Sequence, residues 1–119
     1  MKNSTYLVVG GSSGIGLELV RRLKRRGAEV HVWNRSYPEE LEELDAVYSE
    51  FDATRQAEEA ELPALPERLD GLAYCPGSIR LNQFKRLSAD DFREDFELNL
   101  IAAVRVLQRT EKLLRAGDG

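Results

Sequence analysis

Leu7, Val8 and Val9 follow one another without a polar break, and at Gly10 the apolar run gives way to Gly11-Ser12-Ser13-Gly14-Ile15-Gly16. A short apolar run that does not alternate with polar residues predicts a strand buried on both faces, as in the middle of a parallel sheet. The period then changes. From about Gly14 to Arg26, Ile15, Leu19, Val20 and Leu23 recur on one helical side, and Gly27 is placed to end that helix in the left-handed conformation. A second strand follows as Glu29-Val30-His31-Val32-Trp33, with Asn34-Arg35-Ser36 at its C-terminal end. Glu39 to Leu44 make a short acidic helix with Leu41 and Leu44 inward, and Ala46 to Phe51 make a third strand ending at Asp52. The stretch from Thr54 to Leu69 is rich in alanine and glutamate and is interrupted by Pro63 and Pro66, which predicts a short helix and then a turn. Asp70 to Tyr74 form a fourth strand, which stops at Cys75-Pro76-Gly77. After a loop, Ser88 with Asp91 three residues on has the capping-box spacing and opens the longest helix. Phe92, Phe96, Leu100, Val104 and Leu107 make one apolar stripe along it, and Leu98, Ile101 and Val106 widen the stripe, which predicts burial on more than one side.

Four strands alternating with four helices predict an α/β fold: a parallel sheet of order 3-2-1-4 with helices on both faces, in a single domain over 1–119. Strand four is then an exposed edge, which calls for cover by another chain or a second copy of this one. With 42% hydrophobic and 32% charged residues the chain reads as soluble and globular, and its longest apolar run is too short to span a bilayer. No cleavable apolar segment precedes the first strand, so the cytoplasm is the expected location and no membrane partner is expected. A net charge of -4 argues against nucleic acid as a partner. Arg21, Arg22, Lys24, Arg25 and Arg26 crowd the first helix, but basic side chains near a helix C-terminus complement its dipole and read as a solvated face. Cys75 is the only cysteine, which excludes an internal disulfide and a cysteine-rich metal site. His31, the only histidine, reads as a partly exposed strand residue, and no metal site is expected.

The glycine turn carries the chemistry. Gly10 permits a sharp exit from the strand, Gly14 lets backbone approach a pyrophosphate, and Gly16 lets the helix lie close to the sheet. An anion there would meet the unpaired N–H groups and the positive dipole end of the first helix, with no lysine required. The spacing is Gly-x-x-x-Gly-x-Gly, which differs from the common Gly-x-Gly-x-x-Gly fingerprint and lacks the Gly-Lys-Ser/Thr ending of a phosphate-loop NTPase.

Taken in order along the whole chain, Gly10-x-x-x-Gly14-x-Gly16, Asp52, Cys75-Pro76-Gly77 and Asn99 resemble the N-terminal half of the short-chain dehydrogenases/reductases, NAD(P)-dependent oxidoreductases on a Rossmann fold. The resemblance implies a cofactor site of Gly10, Ser12, Ser13, Gly14, Ile15 and Gly16 in the loop, Asn34 and Arg35 after the second strand, Asp52 and Ala53 beside the adenine, and Cys75 and Gly77 in the turn. It implies for Asn99 the role of the helix asparagine that helps organise the active site and its proton relay. Two positions depart from the family's pattern. Val9 stands where the family often has threonine, and Cys75 stands for the asparagine of an Asn-Ala-Gly turn; both changes remove a side-chain hydrogen bond that usually ties these loops.

A carboxylate after strand two would accept from a ribose 2′-OH and repel a 2′-phosphate. Here Asn34 and then Arg35 occupy that place, and a guanidinium suits a phosphate, so NADP(H) is preferred and NAD(H) is the alternative. A methyltransferase-like binder of another adenosine cofactor fits less well, since its ribose carries no phosphate for Arg35. The resemblance further implies catalysis by a tyrosine whose pKa is lowered by a lysine four residues later, with a serine from the next strand. Tyr6, Tyr37, Tyr48 and Tyr74 are followed four places on by Gly10, Leu41, Asp52 and Ser78. The expectation is therefore the NADP(H)-binding half of an oxidoreductase that does not turn over alone, paired with a complementary C-terminal half or a second copy. The alternative is an engineered or truncated scaffold whose main property is self-association through strand four and the last helix.

Overall fold

The computed structural model describes residues 3–10, 14–37, 39–52, 63–76 and 83–118. Its centre is a four-stranded sheet of β1 (Thr5–Val9), β2 (Glu29–Asn34), β3 (Val47–Glu50) and β4 (Gly71–Tyr74), in the order β3-β2-β1-β4 with every pairing parallel. The sheet order and the helices on both faces are those read from the sequence. Leu7, Val8 and Val9 are all buried, as an interior strand without polar alternation requires. The register sets Val9 beside Trp33 and beside Tyr74, and Asn34 beside Glu50, so the strands end together along one edge.

Successive strand residues point to opposite faces and build two cores. On one face Val8, Val30 and Val32 meet Leu17, Val20 and Leu23 of α1 (Gly14–Arg25) and Leu41 of a short 3₁₀ helix, Glu39–Leu44. On the other, Leu7, Val9 and Trp33 meet Leu69 and Val106, with Leu113 and Leu114 partly buried beside them. Each fully buried Val or Leu contributes about 1.5–3 kcal/mol. Gly27, at φ +84°, ends α1 in the left-handed conformation as expected. The basic face of α1 is solvated, with Arg22 and Arg21 paired to Glu18. His31 is partly buried in β2, its Nε2 3.2 Å from Glu29 Oε2, and no metal-holding cluster occurs among the described residues.

The last helix runs as α2 (Ala89–Phe96), a π turn (Glu97–Ile101) and α3 (Ala102–Ala116). It opens on the expected capping box: Ser88 Oγ accepts from the Asp91 amide and Asp91 Oδ2 from the Ser88 amide. Its stripe does not go where the pattern pointed. Phe92, Phe96, Leu100, Val104 and Leu107 are all exposed, Phe96 at 60%. The buried side is Ala102, Val106 and Thr110, because α3 supplies this helix's packing in the sheet core and its inward positions fall between those of the stripe. Thr110, fully buried, satisfies its hydroxyl by donating to the Val106 carbonyl at 2.9 Å. Ile15 also departs from expectation: it is 85% exposed in the first turn of α1, and Leu17 takes the inward place. The helix expected after Thr54 falls mostly outside the described residues, and the loop before Ser88 contains a 3₁₀ turn, Phe84–Arg86.

At the opposite edge of the sheet from the strand ends, the Asp70 carboxylate gathers three donors: the Thr5 amide at 2.8 Å, the Asp118 amide at 2.9 Å and the Arg68 guanidinium at 2.6 Å. The Asp118 and Thr5 amides, then Arg68, hold its carboxyl down at about 2, from an ordinary 3.8. A carboxyl held low contributes stability that is complete above about pH 4 and is lost as pH falls through about 2. Asp70→Asn is expected to lower the urea midpoint at neutral pH, and the gap from the parent should close between about pH 4 and pH 2. A gap independent of pH would show that this carboxylate's charge does not hold the base of the sheet.

Candidate functional site

The strand ends define a corner bounded by Gly10, the start of α1 and the segments that leave β2, β3 and β4. Gly10 has φ +81°, and a Cβ there would lie 3.0 Å from Cδ of Pro76, so backbone shape and space both require glycine. Its amide donates to the Trp33 carbonyl at 2.8 Å, and the Cys75 amide donates to the Val9 carbonyl at 2.8 Å. These backbone bonds tie the two loops at the positions where the threonine and asparagine side chains of the resemblance are missing. Gly14 differs. It is also left-handed, at φ +53°, but a Cβ there would meet nothing within 4 Å. The first turn of α1 carries no acidic residue, and Gly16 behind it is buried against the core. An open glycine at the start of a 12-residue helix whose first turn carries no acidic residue fits the phosphates of a dinucleotide. Exposed Ile15 adds apolar surface at the same place.

On the β2 side, Asn34 Nδ2 donates to the Ser36 carbonyl at 2.8 Å, which folds the chain back on itself and leaves Arg35 exposed. The Asn34 carbonyl is held twice, by the Phe51 amide at 2.8 Å and by the Tyr48 hydroxyl at 3.0 Å. Burial, then the charge of Glu50, raises the Tyr48 phenol, so it stays a donor. The Phe51 bond brings Asp52, half-buried, to the end of β2. Trp33, fully buried against Phe51 with ring centroids 5.0 Å apart, has an indole N–H with no acceptor among the described residues.

On the β4 side, Cys75 is half-buried and burial raises its thiol pKa, so it is a neutral group at this corner. Tyr74 reaches across to the last helix, donating its hydroxyl to the Leu98 carbonyl at 2.7 Å. Burial, then Glu97, pushes this phenol up to about 12. Asn99 follows Leu98 in the middle of the π turn and is exposed. In the sequence Tyr48 and Tyr74 stand out only for lacking a lysine four places on; their proximity to Asn34 and Leu98 is a tertiary fact that no spacing announces. Of the expected site residues, Gly10, Gly14, Ile15, Gly16, Asn34, Arg35, Asp52 and Cys75 lie along the strand-end corner, and Asn99 is joined to it through Tyr74. Ser12, Ser13, Ala53 and Gly77 lie outside the described residues.

The family model described as short chain dehydrogenase matches residues 4–119. The chain belongs to the short-chain dehydrogenase family. An uncharacterized oxidoreductase of Saccharomyces cerevisiae is 30% identical over 113 residues, covering 89% of this chain and 37% of the yeast protein. A solved short chain dehydrogenase/reductase family protein superposes with a TM-score of 0.86 at 24% identity, over 97% of this chain and 51% of the other. An NADH-dependent reductase complexed with NAD superposes with a TM-score of 0.79 at 20% identity, over 97% and 53%. The chain therefore spans between about a third and about half of the length of these relatives. The family's cofactors are the NAD(P)(H) dinucleotides.

The two left-handed glycines should respond differently to alanine. Gly14→Ala is expected to cost about 1 kcal/mol, the penalty of a left-handed alanine in open space. Gly10→Ala should cost clearly more, since the added methyl also presses on Pro76. Urea unfolding followed by the emission of Trp33, the only tryptophan, measures both. Equal losses would show that Pro76 yields freely.

Proposed function

We propose that this chain is the nucleotide-binding half of a short-chain dehydrogenase-like oxidoreductase and that it prefers NADP(H) over NAD(H). The observation that carries the reading is Gly14: a left-handed glycine with empty space at its Cβ position, at the dipole-positive start of α1, the helix that follows β1. In this reading the α1 amides hold the pyrophosphate, Ser12 and Ser13 add hydroxyl donors, and Ile15 and Gly16 let the cofactor lie against the helix. Asp52 and Ala53 face the adenine, and Cys75 and Gly77 line the passage toward the nicotinamide. Exposed Arg35, presented by the Asn34–Ser36 turn, grips the 2′-phosphate with paired hydrogen bonds. A bound cofactor supplies or accepts hydride. In the same reading Asn99 helps to organise that end of the site, and no tyrosine in these 119 residues has a lysine four places on. The chain by itself is accordingly expected to bind cofactor without transferring hydride, with a C-terminal half or a second copy as partner.

Calorimetric titration with NADPH and NADH tests this. The expected result is tighter binding of NADPH, with Arg35→Ala weakening NADPH by about tenfold, the scale of a charge-assisted hydrogen bond, and leaving NADH unchanged. No binding of either nucleotide would remove the reading, and equal loss for both would move the 2′-phosphate away from Arg35.

One observation favours a second property, self-association. Phe92, Phe96, Leu100, Val104 and Leu107 leave a long apolar face on the last helix, with a groove lined by Arg93, Glu94, Phe96, Glu97 and Ile101 alongside it, and β4 is an edge strand among the described residues. Apolar patches of this kind are uncommon on monomers. Sedimentation of the protein should give a mass of two or more chains, and Leu100→Glu should return it to one. A parent that stays monomeric at high concentration would count against this property.

A further inference from the structure

The π turn at Glu97–Ile101 coincides with a hydrogen bond from a neighbouring strand. In an α-helix the Ala102 amide would donate to the carbonyl four residues back, which is that of Leu98. Here the Ala102 amide donates to Glu97 instead, five residues back, and the Leu98 carbonyl receives the Tyr74 hydroxyl at 2.7 Å. The phenol of the neighbouring strand thus occupies the acceptor that regular helix would use. Arg105 closes the same turn from the other side by pairing with Glu97, eight residues earlier, a separation that the wider turn brings toward one face of the helix.

We propose that Tyr74 is a positioning residue: by holding the Leu98 carbonyl it fixes the π register of the last helix, and so the direction in which Asn99 is presented at the strand-end corner. One peptide unit carries the effect. Leu98 C=O and Asn99 N–H belong to the same rigid plane, so a hydrogen bond to the carbonyl orients the backbone from which Asn99 projects. Sliding the turn back into α register would rotate the residues on one side of it by about 100° relative to the other. Tyr74 is also continuous with the glycine corner, since Cys75 bonds to Val9 and Pro76 packs over Gly10 in the next two residues. The functional weight of the proposal rests on reading Asn99 as a site residue; the hydrogen-bond register itself does not.

Tyr74→Phe removes the hydroxyl alone, and NMR of the isotope-labelled 119-residue protein reads the result. In the parent, coupling across the hydrogen bond should join the Ala102 amide to the Glu97 carbonyl. In the variant it should move to the Leu98 carbonyl, with the Asn99 backbone and side-chain amide signals displaced while those of β1 and α1 stay in place. A variant that keeps the Glu97 coupling and the Asn99 signals overturns the proposal, as do displacements spread evenly over the fold. If the variant does not fold, the parent decides: a Tyr74 hydroxyl proton protected from exchange and close to the Asn99 amide is expected, and a freely exchanging hydroxyl overturns the proposal. NADPH is then added to the parent and to the folded variant. Shifts at Gly10 and Gly14 in both, with an Asn99 shift in the parent that falls at least fivefold in the variant, support positioning. Shifts at the glycines without any at Asn99 in the parent overturn it. No shift anywhere would remove the nucleotide-binding reading while leaving the register result standing.

Discussion

Backbone pairing on both sides of β1 is the constraint on which the structure depends. The strand has hydrogen-bonded neighbours left and right and buried side chains above and below, so it has no free direction in which to relax. Each of its ends is then used. At the base, its first amide joins the Asp70 carboxylate. At the top, the Val9 carbonyl takes the Cys75 amide and the following glycine takes the Trp33 carbonyl, so β2, β1 and β4 leave the sheet in one fixed arrangement. That arrangement keeps the start of α1 open without the side-chain ties common in the family. Main-chain hydrogen bonds do not depend on residue type, which is why Val9 and Cys75 can stand where threonine and asparagine are usual.

Two tyrosines extend this fixed geometry outward. Tyr48 caps the carbonyl of Asn34 at the end of β2, and Tyr74 takes the carbonyl of Leu98 on the last helix. Both phenols are raised by burial and by a neighbouring glutamate, so both remain protonated donors throughout the neutral range. Each links a strand end to a segment that carries a candidate contact, Arg35 on one side and Asn99 on the other. The corner is thus made of main chain and aromatic hydroxyls, while the exposed side chains around it are free to define what it accepts.

The sheet order, the buried strand, the left-handed Gly27 and the Ser88 capping box were legible in the sequence because each follows from local periodicity or from the conformational range of one residue. The glycine corner was legible for the same reason. The last helix was not. A stripe at Phe92, Phe96, Leu100, Val104 and Leu107 identifies an apolar face but not which surface meets it, and the sheet engages Val106 and Thr110 instead. Ile15 shows the same limit on a smaller scale, as an inward residue by period that lies beyond the strands' reach. The π turn left no mark in the sequence, since the tyrosine that bonds to it, Tyr74, lies 24 residues from Leu98. Asn34 stands in the sequence where a carboxylate would meet a ribose, and only the fold shows that its side-chain amide donates within the local turn that presents Arg35.

The Asp70 carboxylate has a topological consequence. It accepts from the amide that begins β1 and from the amide just beyond the last helix, so residues 5 and 118 are held within the span of one carboxylate, at the edge of the sheet away from the glycine corner. One carboxylate thus ties the first strand to the segment after the last helix, two places 113 residues apart, so that a shift of either is felt by the other at the base of the sheet.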